Sequence, residues 1–227
     1  MKKIKRLAII PARGNSKRIK KKNIRNFFKK PIIFYSIENA KKSKLFHKIH
    51  VSTESDEIIK KVLKQGLKVD FKRPKNLSKD DTNLLSVIKY VVKKYNHINL
   101  LFDEIWLIYP CAPLTKPKDL TKAAKIFNSS NKKYPLATFR EFDAPLDWAF
   151  KKNNKIFSAI NKKKLLTKSQ NLKKHYYESA SFVVYSNDHI SKKMIFSNYY
   201  GLVFSKNRAV DIDNEEDWKL AEMLYSR

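Results

Sequence analysis

The stretch LAIIPARGNSKRIKKKNI, Leu7 to Ile24, joins a short apolar run to a loop crowded with basic residues. A continuous apolar run bounded by Pro11 and Gly14 has the form of a central parallel strand, buried on both faces and so without alternation. The loop from Pro11 to Asn23 then lies at the carboxyl end of a first strand, where open α/β sheets bind their ligands. Its cations Arg13, Lys17 and Lys22, with backbone amides made available by Gly14 and Asn15, suit a polyphosphate. A solvated basic loop is the plain alternative. Neither the G-x-x-x-x-G-K-[ST] spacing nor the G-x-G-x-x-G fingerprint is present, so this is neither a Walker loop nor a dinucleotide turn.

Outward from this stretch the pattern repeats. Pro31 opens a helix whose Ile32, Ile33, Ile37 and Ala40 share one face. KIHVSTES reads as a second strand with Ile49 and Val51 inward, and Ser55 caps a helix that buries Ile58, Ile59, Val62 and Leu63. LKVDF, 67–71, reads as a short third strand, Leu84 to Tyr95 as a helix, and EIWLIYP as a fourth strand. Strands alternating with helices predict an α/β sandwich around a mostly parallel sheet. The alternation breaks after PLATFREF: from Asp143 to about Ala180 two short runs flank an Asn153-Asn154 turn, which predicts a projecting hairpin. ASFVVYS restores a strand, and Asn214 caps a last helix with Trp218, Ala221, Leu224 and Tyr225 inward. The reading is a single domain, 1–227, with 143–180 inserted as an arm.

The chain has 227 residues, 42% of them hydrophobic, which is enough for a real core and excludes a disordered protein. Its formal net charge of +29 invites a nucleic-acid partner, because Lys and Arg displace counterions from phosphates. The charge is scattered as Lys pairs along the whole chain, so it argues about association and not about fold, and local motifs must decide. A single cysteine, Cys111, leaves no disulfide framework and points to the reducing cytoplasm. The apolar run after the basic start is too short for a signal peptide, and no segment has the length of a membrane span.

The segment VDIDNEEDW carries the second constellation. Asp211 and Asp213, at i and i+2 of an extended segment, point to one side, an arrangement that grips a hard cation such as Mg2+ which itself holds phosphate oxygens. The alternative is ordinary acidic residues ahead of a helix whose Glu215, Glu216 and Asp217 complement its dipole.

IIPARGNSKRIKKKNI closely resembles the I-P-A-R-G-G-S-K-G-I-P-R-K-N-I signature of the CMP-sialic acid synthetase group of cytidylyltransferases. VSTESDEI, RPKNLSKDDT, YPCAPLT and VDIDNEEDW follow in the family's order, so the resemblance spans essentially the whole chain. LTKSQNLKKHYYESASF is most similar to the segment of members that activate pseudaminic acid, T-R-S-Q-D-L-x-x-x-Y-H-D-A-G-Q-F. The resemblance implies a nucleotidyltransferase fold and transfer of CMP from CTP to the anomeric hydroxyl of a nonulosonic acid, with release of pyrophosphate. It implies CTP contacts at Arg13, Gly14, Asn15, Ser16, Lys17, Lys22 and Asn23, with Arg13 and Lys17 stabilising charge on the departing pyrophosphate. Arg73, Asp81 and Thr82 match the part beside the base, and Asp211 and Asp213 the Mg2+ ligands. By the same resemblance, 143–180 is a dimerisation arm reaching over the partner's sugar site, with Lys168, Gln170, Tyr176 and Tyr177 on the sugar side.

The departures cluster on that side: Tyr177 replaces His, Glu178 Asp, Ser179-Ala180 the Ala-Gly pair and Ser181 Gln. They leave legionaminic, N-acetylneuraminic and 3-deoxy-octulosonic acids as alternative acceptors. The alternative from another class is a non-catalytic basic protein that binds nucleic acid; the ordered motifs argue against it, and no membrane association is expected. Asn15 stands where the family has a second glycine and tolerates positive φ, so the cradle survives. Cys111 reads as a small packed hydrophobe, Trp106 and Trp218 as core, and the histidines show no zinc spacing.

Overall fold

The computed structural model describes residues 4–192 and 196–227. The apolar run forms β1 (Arg6–Pro11), buried along its whole length. Its residues divide between two cores. Ala8 and Ile10 join Val51, Trp106, Phe182 and helical residues on one face of the sheet, while Leu7 and Ile9 join Ile105, Leu107 and Val183 on the other. A strand covered on both sides has no polar face to show, which is why this segment reads as continuous and not alternating. Each fully buried Leu or Ile of this strand contributes about 1.5–3 kcal/mol.

After β1 come a small ribbon, β2 (Asn26–Phe27) with β3 (Lys30–Pro31), and then α1 (Ile32–Ser43). Strand β4 (Lys48–Ser52) and α2 (Asp56–Lys64) follow, with Ser55 Oγ accepting from the Ile58 amide as its N-cap. Next are α3 (Leu84–Asn96), β5 (Glu104–Ile108), α4 (Pro117–Ser129) and β6 (Leu136–Glu141). The hairpin strands are β7 (Phe150–Asn153) and β8 (Ile156–Ala159), turning at Asn154 with φ 52. The chain ends with β9 (Tyr176–Ser186), α5 (Asn187–Ser191), β10 (Tyr200–Phe204) and α6 (Glu215–Tyr225), the last capped by Asn214.

The six-stranded sheet has the order β10-β6-β9-β5-β1-β4. Only β9 runs against its neighbours; β4, β1, β5, β6 and β10 are parallel. The α/β architecture with a mostly parallel sheet is the one the alternation predicts.

Four details differ from the sequence reading. LKVDF is not a strand: Gly66, at φ +66, ends the turn after α2, and 67–71 is held to β4 by side chains, with Phe71 stacked on His50 and Asp70 paired with Lys48. Helix α4 and strand β10 form where no element was expected, the latter because it completes the free edge of β6. Leu63 and Tyr225, expected inside, are 60% and 43% exposed. The sheet already takes over at Tyr176, since Tyr176, Tyr177 and Glu178 pair with Glu141, Arg140 and Phe139, so the excursion spans 143–175 instead of 143–180.

Candidate functional site

A cleft of about 510 Å³ opens at the carboxyl ends of β1 and β5. One wall is the loop after β1, contributing Arg13, Ser16, Lys17, Arg18, Lys22 and Asn23; another is the 73–87 segment, with Arg73, Ser78, Asp80 and Thr82. Tyr109 and Cys111 after β5, Ala180 from β9, and Asp211 with Asp213 complete it.

The basic loop is held from within. Asn23 is buried, and its Nδ2 donates to the Arg13 carbonyl at 2.9 Å, closing the loop on itself. Cys111 Sγ donates to Asn23 Oδ1 at 3.4 Å, and burial pushes this thiol up to about 12. It is therefore a packing group, as the sequence suggests, although it borders the cleft. Arg13 pairs with Asp80, and Lys17 Nζ reaches the same carboxylate at 2.6 Å. The Lys17 and Arg13 partners hold the Asp80 carboxyl below its usual range. Two of the cations expected to meet phosphate thus share one carboxylate.

The acidic wall is set by α6. The Asp217 carboxylate accepts from the Asp213 and Asn214 amides, and the Asp217 amide donates to Asn214 Oδ1, a reciprocal cap that fixes the segment just before the helix. Ile212 is buried between two aspartates that face the cleft, the i, i+2 disposition read from the sequence. Loss of water around Asp211, followed by the negative charge of Asp213, raises the Asp211 carboxyl above its ordinary value. Lys22 Nζ donates to the Ile212 carbonyl at 2.5 Å and approaches Asp213 at 3.5 Å, and Arg18 pairs with Asp213 at 2.8 Å. The first loop and the last helix, some 190 residues apart in the chain, are thereby joined at the cleft.

Of the residues singled out by sequence, Arg13, Ser16, Lys17, Lys22, Asn23, Arg73, Thr82, Asp211 and Asp213 line one cleft. Gly14, Asn15 and Asp81 do not. The Gly14 amide is not free for a ligand, because it donates to Glu54 Oε1 at 2.6 Å. Glycine is needed there for close approach: a Cβ would lie 2.9 Å from Ser55 Cβ. Asn15 is exposed and does not adopt positive φ; that conformation falls on Lys21 instead. Asp81 is exposed and off the cleft, whereas its neighbour Asp80, also exposed, lines the cleft and pairs with Arg13 and Lys17.

The four residues expected on the sugar side do not line the cleft of their own chain. Lys168, Gln170 and Tyr176 are exposed, and Tyr177 packs on Phe142, 4.8 Å between ring centroids, at the base of the arm. Asp80 and Glu54 also belong to the site's surroundings and escape the sequence reading. The one available signal was the acidic pair in RPKNLSKDDT, which does not say which carboxylate lines the cleft.

The fold and the cleft define a nucleotide-using α/β transferase: a basic loop after the first strand faces a pair of carboxylates at the strands' carboxyl ends. A family model described as cytidylyltransferase matches residues 7–224, and the chain belongs to that family. It is a nucleotidyltransferase enzyme. The chain is 35% identical to a pseudaminic acid cytidylyltransferase of Campylobacter jejuni over 98% of its length and 97% of that protein's. It is 34% identical to a CMP-N,N'-diacetyllegionaminic acid synthase of the same species, over 97% and 94% of the two lengths. Among solved structures, a CMP:2-keto-3-deoxy-manno-octonic acid synthetase complexed with CTP superposes with a TM-score of 0.74, at 14% identity over 98% of both chains, a likeness of fold. No helix among the described residues is long and apolar enough to cross a membrane.

Proposed function

We propose that the cleft binds CTP and transfers CMP to a nine-carbon acidic sugar, pseudaminic acid in the first place. The anomeric oxygen forms a bond to the α-phosphorus, the bond to the β-phosphate oxygen breaks, pyrophosphate leaves, and the hydroxyl proton passes to solvent. The observation that carries this reading is the facing of the Arg13 and Lys17 cations with the Asp211 and Asp213 carboxylates across one cleft. Arg13, Ser16, Lys17, Lys22 and Asn23 take the triphosphate, and Arg73 and Thr82 lie on the base side. The Asp80 carboxylate yields its two cations to phosphate oxygens, exchanging one set of charge-assisted contacts for another. Lys22, anchored on the Ile212 carbonyl, keeps the phosphates in register with the acidic wall.

The residues fit a magnesium ion. Asp211 and Asp213 place two carboxylates side by side; burial first, and the Asp213 charge second, raise the Asp211 carboxyl, and a dication offsets both. Among the described residues there is no group of three or more His, Cys, Asp or Glu suited to a metal. Two carboxylates with phosphate oxygens and water is the ligand set Mg2+ prefers. When bound there, Mg2+ supplies charge neutralisation for an in-line displacement.

We further assign the arm to a homodimer contact of this cytoplasmic enzyme. Ile156, Phe157 and Leu166 are 70%, 62% and 96% exposed on it, large apolar side chains that a partner subunit would cover. Lys168, Gln170, Tyr176 and Tyr177, which do not line their own cleft, are then available to the partner's sugar.

The test is pyrophosphate release with Mg2+ and CTP, offering pseudaminic, legionaminic, N-acetylneuraminic and 3-deoxy-octulosonic acids in parallel, with ATP, GTP and UTP as controls. Release with CTP and pseudaminic acid is expected. Release only with legionaminic acid establishes the second reading, which the 34% identical relative favours; no release with any of the four sinks the acceptor class.

A further inference from the structure

Glu54 lies just outside the cleft and joins two of its walls. Strand β4 ends at Ser52, Thr53 is fully buried, and Ser55 begins the cap of α2, so the intervening Glu54 projects back toward the loop after β1. Its Oε1 accepts from the Gly14 amide at 2.6 Å, and its Oε2 accepts from Arg73 Nη2 at 3.0 Å. The Arg73 side chain is only 4% exposed, and its own amide donates to the Thr53 carbonyl at 2.8 Å. Burial pushes the Glu54 carboxyl upward, but the Gly14 amide and Arg73 outweigh it and leave it below the usual range. Both contacts therefore favour the carboxylate form. Gly14 directly precedes the Asn15-Ser16-Lys17 turn, and Arg73 opens the opposite wall.

We infer that Glu54 is a positioning residue for nucleotide binding: one carboxylate ties the Gly14 amide at the phosphate loop to the Arg73 guanidinium across the cleft. It touches no substrate. It holds Arg73 in one orientation and fixes the separation of the two walls, so the nucleotide meets a cleft already set to its length. A buried guanidinium without this anion has no other carboxylate partner among the described residues and is free to turn. The inference rests on the reading of the cleft as the CTP site.

The chain's three glycines, Gly14, Gly66 and Gly201, make the test direct. Protein labelled with 15N-glycine shows one signal at the tie and two remote reporters of folding. In E54Q the Gly14 signal alone is expected to move. Calorimetric titration with CTP, without sugar, should show affinity weakened by about ten- to hundredfold, the range of a charge-assisted hydrogen bond. Turnover at saturating CTP should stay within about threefold of wild type, because the lost contact acts on binding in ground and transition states alike. The inference is overturned if E54Q keeps the Gly66 and Gly201 signals and binds CTP as tightly as wild type, or if turnover collapses while the CTP KM stays. Should E54Q not fold, E54D decides: its side chain, shorter by one methylene, cannot span the Gly14 amide and Arg73 together, so CTP affinity should weaken while the Gly66 and Gly201 signals stay, and wild-type affinity overturns the inference. Wild-type protein that binds no CTP at all refutes the cleft reading itself, a failure recognisable without any variant.

Discussion

His50 makes stability depend on pH in a direction the structure dictates. It lies on β4, fully buried, with its ring 4.4 Å from that of Phe71 and edge-on to Tyr95. The Tyr95 hydroxyl donates to Asp70 Oδ2 at 2.5 Å, so its lone pair is left for His50 Nδ1, 3.1 Å away, which must carry the proton. Nε2 is buried without a partner. Burial lowers the His50 pKa from 6.5 to about 4; Asp70 opposes the shift and Lys48 adds to it. The unfolded chain therefore takes up a proton below 6.5 while the folded chain does not, and the stabilisation is complete above 6.5 and lost as the pH falls to about 4. The gap corresponds to about 3 kcal/mol. For a domain of this size that is roughly 6–12 °C of melting temperature. Melting curves of wild type and H50Q between about pH 7 and pH 4 provide the assay, since glutamine keeps a donor for Tyr95 and does not titrate. His189, also lowered by burial, contributes equally to both proteins and cancels. The wild type should lose that much more melting temperature than H50Q over this range; parallel curves refute the reasoning.

Glu104 is fully buried and accepts from Arg6 at 2.7 Å and Lys132 at 3.0 Å, so E104A should cost about 3–5 kcal/mol by leaving Arg6 unpaired, measured by urea unfolding. The double variant R6M/E104M should recover most of that loss. D80N removes the carboxylate that occupies Arg13 and Lys17, and should lower the CTP KM by about two- to fivefold in steady-state kinetics, the scale of a surface ion pair. The advantage should shrink at high salt. D211N with D213N should reduce Mg2+-dependent turnover by about two orders of magnitude or more in the pyrophosphate assay, with the melting temperature unchanged or raised as the buried Asp211 charge and its repulsion from Asp213 are removed.

The sequence by itself determined what local chemistry can specify. The continuous run Leu7–Ile10 announced a strand buried on both faces, Ser55 and Asn214 announced helix starts, and Asn153-Asn154 announced the hairpin, because burial period, caps and turns depend on a few adjacent residues. The basic loop and the Asp211-Asp213 pair were legible for the same reason. Tertiary structure decided what depends on residues far apart in the chain. Asp80 lines the cleft and Asp81 does not because Arg13 and Lys17 lie across from it, and Gly14 spends its amide on Glu54, 40 residues later. LKVDF has strand composition, yet its contacts with β4 are made by Asp70 and Phe71 side chains and not by a backbone ladder. The joining of Lys22 to the Ile212 carbonyl, and the absence of Lys168 and Gln170 from the lining of their own cleft, follow from how the completed sheet places its loops. Spacing along the chain carries no information about such placements, since each depends on contacts that form only when the whole sheet has closed.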